Sequence, residues 1–266
     1  MITKVLQNST KIRILKHLII IMLFPFTLLS QSQNTFRIEF NTDFRGFEMG
    51  EFNERINDPA FIDTSLYDEL LRISLSEGFN FGMSISCRPF QFISLGVYGG
   101  FQFGSVKRDL RIVFYQGNNG IPNDTIFLER NYEAQSFNAG LNAKLLFNQM
   151  NFWAKYPMLS KVESGINIQI GYGWASLLTH DSSQEFDTGH IKGFSSSQGV
   201  QLTSTFQIGR IISNNKYFSS IGLNLGYQYF ITSDLQAEGG IYYPNNERTK
   251  FDFSGFNIGL YLSIGR

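Results

Sequence analysis

The sequence predicts an all-β fold: an eight-stranded antiparallel transmembrane β-barrel, preceded by a cleaved signal peptide. Three observations lead to this prediction. Apolar and polar residues alternate with period two in eight segments, whereas no segment beyond residue 30 keeps a helical period for long. The connections between these segments alternate between short and long, as in barrels with short periplasmic turns and long extracellular loops. The polar faces of four segments contain no charged residue, which suits a narrow interior.

The first thirty residues have the pattern of a secretory signal peptide. Four Lys and Arg residues precede the apolar run LIIIMLFPFTLL, residues 18–29. The alternative is a membrane anchor helix, but the run has only twelve residues where a span needs about 20, and Pro25 interrupts it. We therefore expect residues 1–30 to be removed and residues 31–266 to form one outer-membrane β-barrel domain.

The charge of the remaining chain argues against nucleic acid as a partner. Without residues 1–30 it has 18 basic and 22 acidic residues, a formal charge of −4, whereas nucleic-acid binding needs a basic surface. Cys87 is the one cysteine of the sequence and cannot form an internal disulfide. Charged residues make up 17% of the sequence, below the roughly 25% of soluble domains, so we expect outer-membrane lipid to cover part of the surface.

The eight predicted strands follow one another at fairly even spacing. They comprise residues 36–47, 71–88, 92–104, 137–147, 165–177, 200–211, 218–230 and 253–265. Turns are predicted at 88–91, 148–164 and 213–217, and long loops at 50–70, 105–133, 179–198 and 231–252. The third and fourth strands are expected to continue as a hairpin around QGNNGIPND, and Thr64 to Leu70 to form a short helical turn.

Alternation alone also fits a soluble lipocalin-like barrel or a sandwich with its apolar residues inside. The uncharged polar faces argue against that alternative, because a strand face in water normally carries Lys, Arg, Asp or Glu. The apolar faces are also layered, since aliphatic residues lead to Tyr172 and Trp174 in one strand and to Tyr227 and Tyr229 in another. We predict that these aromatic residues form the outer girdle of a barrel in lipid.

The first strand, FRIEFNTDFRGF, has a high density of charge on its polar face. We predict a lumenal charge network with a structural role, composed of Arg37, Glu39, Asp43, Arg45, Arg88 and Lys144. Arg37 with Glu39, and Asp43 with Arg45, are same-face neighbours that can pair, as buried charges must. A register slip of one residue would turn these charges toward lipid, at about 2–4 kcal/mol for each Arg near the midplane.

One stretch resembles a known family. In SISCRPFQFISLGVYGGF, Ser84 to Phe101, a strand ends in an Arg-Pro turn that is followed by Ser-Leu and an aromatic residue. This pattern resembles the outer-membrane β-barrel family common in Bacteroidota and often called PorT-like. The resemblance implies the fold and the location. Members mostly lack an assigned activity, and one namesake is linked to the type IX secretion and gliding machinery.

The third long loop contains the residue types of a catalytic or metal site. The segment THDSSQEFDTGH, Thr179 to His190, contains His, Ser, Asp and Glu, the types that nucleophilic catalysis uses. Catalytic groups normally converge from separate rigid elements, and the spacing of the two His residues matches no recognised metal motif. We therefore predict a solvated loop and assign no catalytic residue, metal ligand or cofactor.

These features predict an integral protein of the Gram-negative outer membrane rather than an enzyme. Its predicted role is that of a membrane scaffold with a plugged lumen, whose extracellular loops bind a partner or a ligand. Envelope proteins are the expected partners, besides membrane lipid. Two alternatives stay open: a structural component of a type IX secretion or gliding-type export apparatus, and an envelope lipid-modifying enzyme that uses residues 179–198.

Overall fold

In the part of the chain that the structure describes, nine antiparallel strands form one sheet, and eight of them close into a barrel. The computed structural model describes residues 36–57, 73–115, 122–150, 156, 159–183, 191–212, 218–234, 236–238 and 250–265. The strands are β1 (Phe36–Gly46), β2 (Glu77–Phe90), β3 (Ile93–Tyr115), β4 (Pro122–Leu146), β5 (Val162–Ser183), β6 (Ile191–Ile211), β7 (Phe218–Thr232), β8 (Gln236–Glu238) and β9 (Gly255–Gly265). The predicted all-β, eight-stranded antiparallel barrel is confirmed; the predicted signal peptide lies outside the described residues.

The barrel closes through an up-and-down order of its strands. β1 pairs with β2 on one side and with β9 on the other, and β5 pairs with both β4 and β6. In β1, Phe40 lies opposite Met83 of β2 and Leu262 of β9. The short β8 adds three residues beside β6. The eight barrel strands therefore form a ladder that returns on itself, which satisfies their backbone hydrogen bonds without water.

The outside of the barrel is a continuous apolar belt. Ile170 and Leu225 are each 58% exposed. Phenylalanine side chains of neighbouring strands contact one another on this face, as Phe44 and Phe79 do with ring centroids 5.7 Å apart. An apolar surface of this extent is unfavourable in water and requires lipid around it. The predicted girdle residues all face outward: Tyr172, Trp174, Tyr227 and Tyr229.

The barrel is much taller on one side than on the other. β3, β4, β5 and β6 have 21 to 25 residues, whereas β1, β2, β7 and β9 have 11 to 15. The predicted continuation of the third and fourth strands is confirmed, with Leu110 opposite Leu128. The β5–β6 hairpin continues in the same way, with Thr179 opposite Gly193. The predicted loop at 179–198 is therefore wrong over much of its length, because ladder pairing persists where the apolar face ends.

The first long connection contains a helix that periodicity did not reveal. Helix α1 (Gly50–Ile56) follows β1, and Phe52 and Ile56 on one of its faces are buried. β2 begins at Glu77 rather than at residue 71. Leu75, predicted to face lipid, is instead buried in the cluster that α1 joins, and Ile73 packs against it. The predicted helical turn at 64–70 lies outside the described residues.

No helix in the described parts of the chain is long and apolar enough to cross a membrane.

Candidate functional site

Four charged side chains form a compact cluster inside the barrel, near the end with the short turns. Arg37 donates two hydrogen bonds to Glu163, at 2.6 and 2.7 Å. Lys144 Nζ lies 2.8 Å from Glu163 Oε1 and 3.0 Å from Glu39 Oε2. Glu39 also accepts a hydrogen bond of 2.7 Å from Gln207. These four charged residues, called the charged cluster below, are 4 to 7% exposed, so their partners replace the water that each charge has lost.

A second pair of charges lies farther along β1. Arg45 Nη2 is 3.3 Å from Asp43 Oδ2. Arg45 also donates hydrogen bonds to the side-chain oxygens of Gln102, at 3.0 Å, and Gln228. Asn80 donates a hydrogen bond of 3.0 Å to Asp43. We call Asp43 and Arg45 the Arg45 pair; neutral amides from β2, β3 and β7 surround it.

The charges of these two groups cancel. Together they contain three cations and three anions, all buried: Arg37, Arg45, Lys144, Glu39, Asp43 and Glu163. Burial of a net charge would be costly, whereas a balanced and hydrogen-bonded set is tolerated. The interior is therefore filled by a neutral polar assembly whose members come from β1, β4 and β5.

The structure buries five of the six residues predicted for the lumenal network, three in the charged cluster and two in the Arg45 pair. Arg37 is within 3.5 Å of Glu39, as the same-face pairing predicted, although its shorter hydrogen bonds go to Glu163. Arg88 is the exception. It is half-buried at the short-turn mouth and, within the described residues, forms no ion pair. The ladder becomes irregular between Cys87 and Phe90, which separates Arg88 from the regular inward positions.

Glu163 is the member of the charged cluster that sequence reasoning missed. The predicted turn at 148–164 included it, but β5 begins at Val162. Glu163 shares its parity with Asn167, which is also buried. Extending the alternation of the fifth strand backward by two residues would have identified Glu163 as an inward-facing acid.

A small polar cavity lies beside the Arg45 pair. Its wall is rich in asparagine side chains: Asn41, Asn80, Asn138, Asn167 and Asn224. Several of these amides have a buried oxygen or nitrogen with no protein partner. Polar walls of this kind suit ordered water, which satisfies unpaired amides inside proteins.

An apolar cap covers the other end of the lumen, where the long connections lie. Its buried members are Phe47, Met49, Phe52, Ile56, Leu75, Tyr132, Ala134, Ala175, Phe230, Phe251 and Phe253. Phe253 is at the centre, with ring centroids 5.2 Å from Phe47, 5.5 Å from Phe230 and 5.6 Å from Phe251. A Cβ on Gly173 would lie 2.4 Å from the Phe230 ring, so glycine at that position makes room for the ring.

Side-chain amides attach α1 to the segment that enters β2. Asn53 donates to the Leu75 carbonyl at 3.2 Å and accepts from the Leu75 N–H at 2.8 Å. Asn57, one turn later, makes the same reciprocal pair with Ile73, at 2.7 and 3.0 Å. Arg108 of β3 donates to the Ile56 carbonyl at 2.7 Å. The two reciprocal pairs resemble the backbone hydrogen bonds between paired strands. Together with the Arg108 contact, they attach α1 and the cap to the tall side of the barrel.

The segment considered for catalysis lies mostly outside the described residues. Thr179 and His180 belong to β5 and pair with Gly193 and Lys192 of β6; residues 184–190 are not among those described. Among the described residues, no three His, Cys, Asp or Glu side chains are grouped so that they could hold a metal ion.

Comparisons with known proteins concern the fold. No family model matches the sequence, and no curated protein is significantly similar to it. Among solved structures, the chain is similar to Neisserial surface protein A (NspA), with 14% identity over 88% of this chain and 95% of that one and a TM-score of 0.36. It is also similar to the attachment invasion locus protein Ail of Yersinia pestis, solved with the heparin analogue sucrose octasulfate, with 10% identity over 87% and 95% and a TM-score of 0.31.

The outer membrane protease OmpT from Escherichia coli is a third similar structure, with 11% identity over 88% of this chain and 95% of that one and a TM-score of 0.30. At these scores the similarities support no functional argument. The assignment depends on features of the chain itself: a closed eight-stranded ladder, an apolar belt outside and a polar interior. These features define an integral β-barrel of the outer-membrane type.

Proposed function

We propose that the chain is a non-conducting scaffold of the outer membrane, whose two tall hairpins hold a partner or a ligand outside the cell. The height of those hairpins is the observation that supports this proposal. From Ser105 to Tyr115, β3 continues beyond the last β2 pairing, Phe79 with Phe103. Ten steps of about 3.3 Å, reduced by a strand tilt near 40°, raise the hairpin by about 25 Å above the rim.

The filled interior supports the non-conducting part of the proposal. The charged cluster, the Arg45 pair and the apolar cap occupy successive levels along the barrel. Ions would have to pass a set of hydrogen-bonded charged side chains with no net charge, and then a layer of aromatic rings. An eight-stranded barrel leaves room only for side chains, so we expect no stable conductance from the purified protein in a planar bilayer. Stable open levels would contradict the plugged lumen.

The scaffold part predicts that the hairpins are needed for binding but not for the barrel. Replacing residues 111–127 by Asn-Gly keeps Leu110 opposite Leu128, and replacing residues 180–192 by Asn-Gly keeps Thr179 opposite Gly193. Both shortened proteins should fold in the membrane. A protein that co-purifies with the native chain in mild detergent should be lost when the hairpin it contacts is shortened. Its retention by both shortened proteins would contradict the proposal.

The same experiment separates the alternatives. Recovery of the native chain with subunits of an export apparatus would favour the role expected from the PorT-like resemblance. A change in lipid A modification on replacing residues 180–192, with none on replacing 111–127, would favour the enzyme alternative. We propose the scaffold because this role accounts for the extra length of the four tall strands.

A further inference from the structure

Charge is distributed unevenly between the two ends of the barrel. The segments around the short turns, residues 88–92, 147–161 and 210–217, contain five Lys and Arg residues and no Asp or Glu. At the opposite end, the first long connection alone, residues 47–77, contains eight acidic and two basic residues. The short-turn segments therefore have a net positive charge, and this long connection has a net negative charge.

Two of these cations lie next to each other at the border of the apolar belt. Arg210 is exposed near the end of β6, on the same parity as Phe206 and Ile208, which are 42% and 46% exposed to lipid. Arg210 is therefore the next outward position beyond the belt. Lys161 is also exposed and directly precedes Val162, the residue that pairs with Arg210. Lys161 is the last residue of a short 3-10 helix that leads into β5, so the two residues lie at the same end of the β5–β6 pair.

Within the described residues, neither Arg210 nor Lys161 has an ion pair or a side-chain hydrogen bond. Arg210 and Lys161 differ in this respect from the cations of the charged cluster, each of which has a carboxylate within 3.0 Å. A ligand with a negative charge at the border of the apolar belt would provide a partner for both cations.

We infer that Arg210 and Lys161 bind the phosphate of acidic phospholipids in the leaflet at the short-turn end. Arg210 projects from the edge of the apolar belt, beyond Ile208 of its own strand and opposite Ile221 of β7, which is 48% exposed. Long basic side chains keep their stems along acyl chains and their charged ends among headgroup phosphates. Basic residues next to a membrane surface attract anionic lipid. Continuity with the lipid-covered belt favours a lipid over a soluble acidic protein, which would approach from water.

The test measures lipid selection by the full folded protein. The native chain is reconstituted in phosphatidylcholine with trace spin-labelled phosphatidylglycerol or spin-labelled phosphatidylcholine, and electron paramagnetic resonance gives the relative association constant of each. The native protein should prefer phosphatidylglycerol by at least about twofold, and 0.5 M NaCl should weaken that preference. The double variant R210Q/K161Q should lose it, whereas R210K/K161R should keep it.

The matched control removes the same charge from the other end. Lys107, whose side chain is 64% exposed, and Lys250, also exposed, lie near the long connections, so K107Q/K250Q should retain the native preference. A heat-dependent shift in gel migration confirms that each variant is folded. The inference is wrong if the native barrel shows no preference, if R210Q/K161Q retains it, or if K107Q/K250Q loses it equally. Binding of a soluble acidic protein without lipid preference would also overturn it.

Discussion

The charged cluster and the apolar cap fill the same lumen by opposite chemistry. In the charged cluster, Glu163 is hydrogen-bonded to both Arg37 and Lys144. Each of these charges can be buried only because its partners are present. In the apolar cap, Phe52 and Phe253 contribute area and ring contacts to many neighbours at once. We therefore expect the charged cluster to contribute to stability cooperatively and the apolar cap to contribute gradually.

The difference has an energetic basis. Removal of one partner from a buried ion pair leaves a charge with neither water nor a counterion. Removal of part of an apolar side chain costs the transfer free energy of the lost atoms and a cavity term that relaxation reduces. The cap also lies at the end of the barrel, and α1 is not part of the strand ladder.

Glu163→Gln should have the largest effect on stability. It leaves Arg37 and Lys144 with one carboxylate, Glu39, in place of two, and we expect a loss of about 3–5 kcal/mol in the free energy of unfolding. Urea unfolding in lipid vesicles measures this loss. Glu129→Gln is the control, because its partner Lys107 is exposed. A loss below about 1 kcal/mol for Glu163→Gln would show that the cluster is not cooperative.

Phe52→Ala should come next, with a loss of about 3 kcal/mol. The Phe52 ring is 1% exposed and lies 5.4 Å from Phe251 between centroids, so its removal leaves a cavity under α1. Hydrogen exchange should speed up in residues 47–57 while the β1–β9 ladder stays protected. Equal deprotection of cap and ladder would contradict the separation of the two regions.

Asn53→Ala should have a smaller effect, about 1–2 kcal/mol, confined to the cap. The change removes two hydrogen bonds to Leu75 and leaves its backbone N–H and carbonyl unpaired. Glu54→Ala is the matched control, since Glu54 is exposed on the same helix. Hydrogen exchange at Leu75 should be faster in Asn53→Ala and unchanged in the control.

Lys107→Gln should have the smallest effect, within about 1 kcal/mol. The ion pair with Glu129 has a distance of 2.9 Å, yet the two side chains are 64% and 44% exposed, so water and salt already screen it. Thermal unfolding at low and high salt should differ little between variant and native protein. A loss as large as that of Glu163→Gln would mean that burial is not what distinguishes the two ion pairs.

Much of the charged cluster could be predicted because its residues sit inside regular strands. Arg37 and Glu39 alternate with Phe36 and Ile38, and that alternation fixes which side faces lipid. Glu163 was not predicted because it lies at the first inward position of β5, where the sequence does not distinguish a turn from a strand. Arg88 keeps the inward parity in sequence, but the irregular ladder beside it removes that position from the cluster.

The apolar cap could not be predicted from periodicity. Phe52 and Ile56 lie in a helix of seven residues, too short to show a helical pattern, and Leu75 keeps the parity of the lipid-facing strand although it is buried in the cap. Its burial follows from where the chain leaves the ladder, which local alternation does not encode.

Period-two alternation was enough to establish the all-β class, the eight barrel strands and the facing of β1, because a slip of one residue would place every charge of that strand in lipid. Closure of the barrel decided which buried side chains pair with one another. Arg37 and Glu163 are 126 positions apart, and no local pattern pairs them. They meet because closure and the stagger of the strands bring β1 and β5 to the same level across a narrow lumen. The cap has the same origin, since it forms only where the ends of β1, β2, β7 and β9 meet the inner face of the tall hairpins.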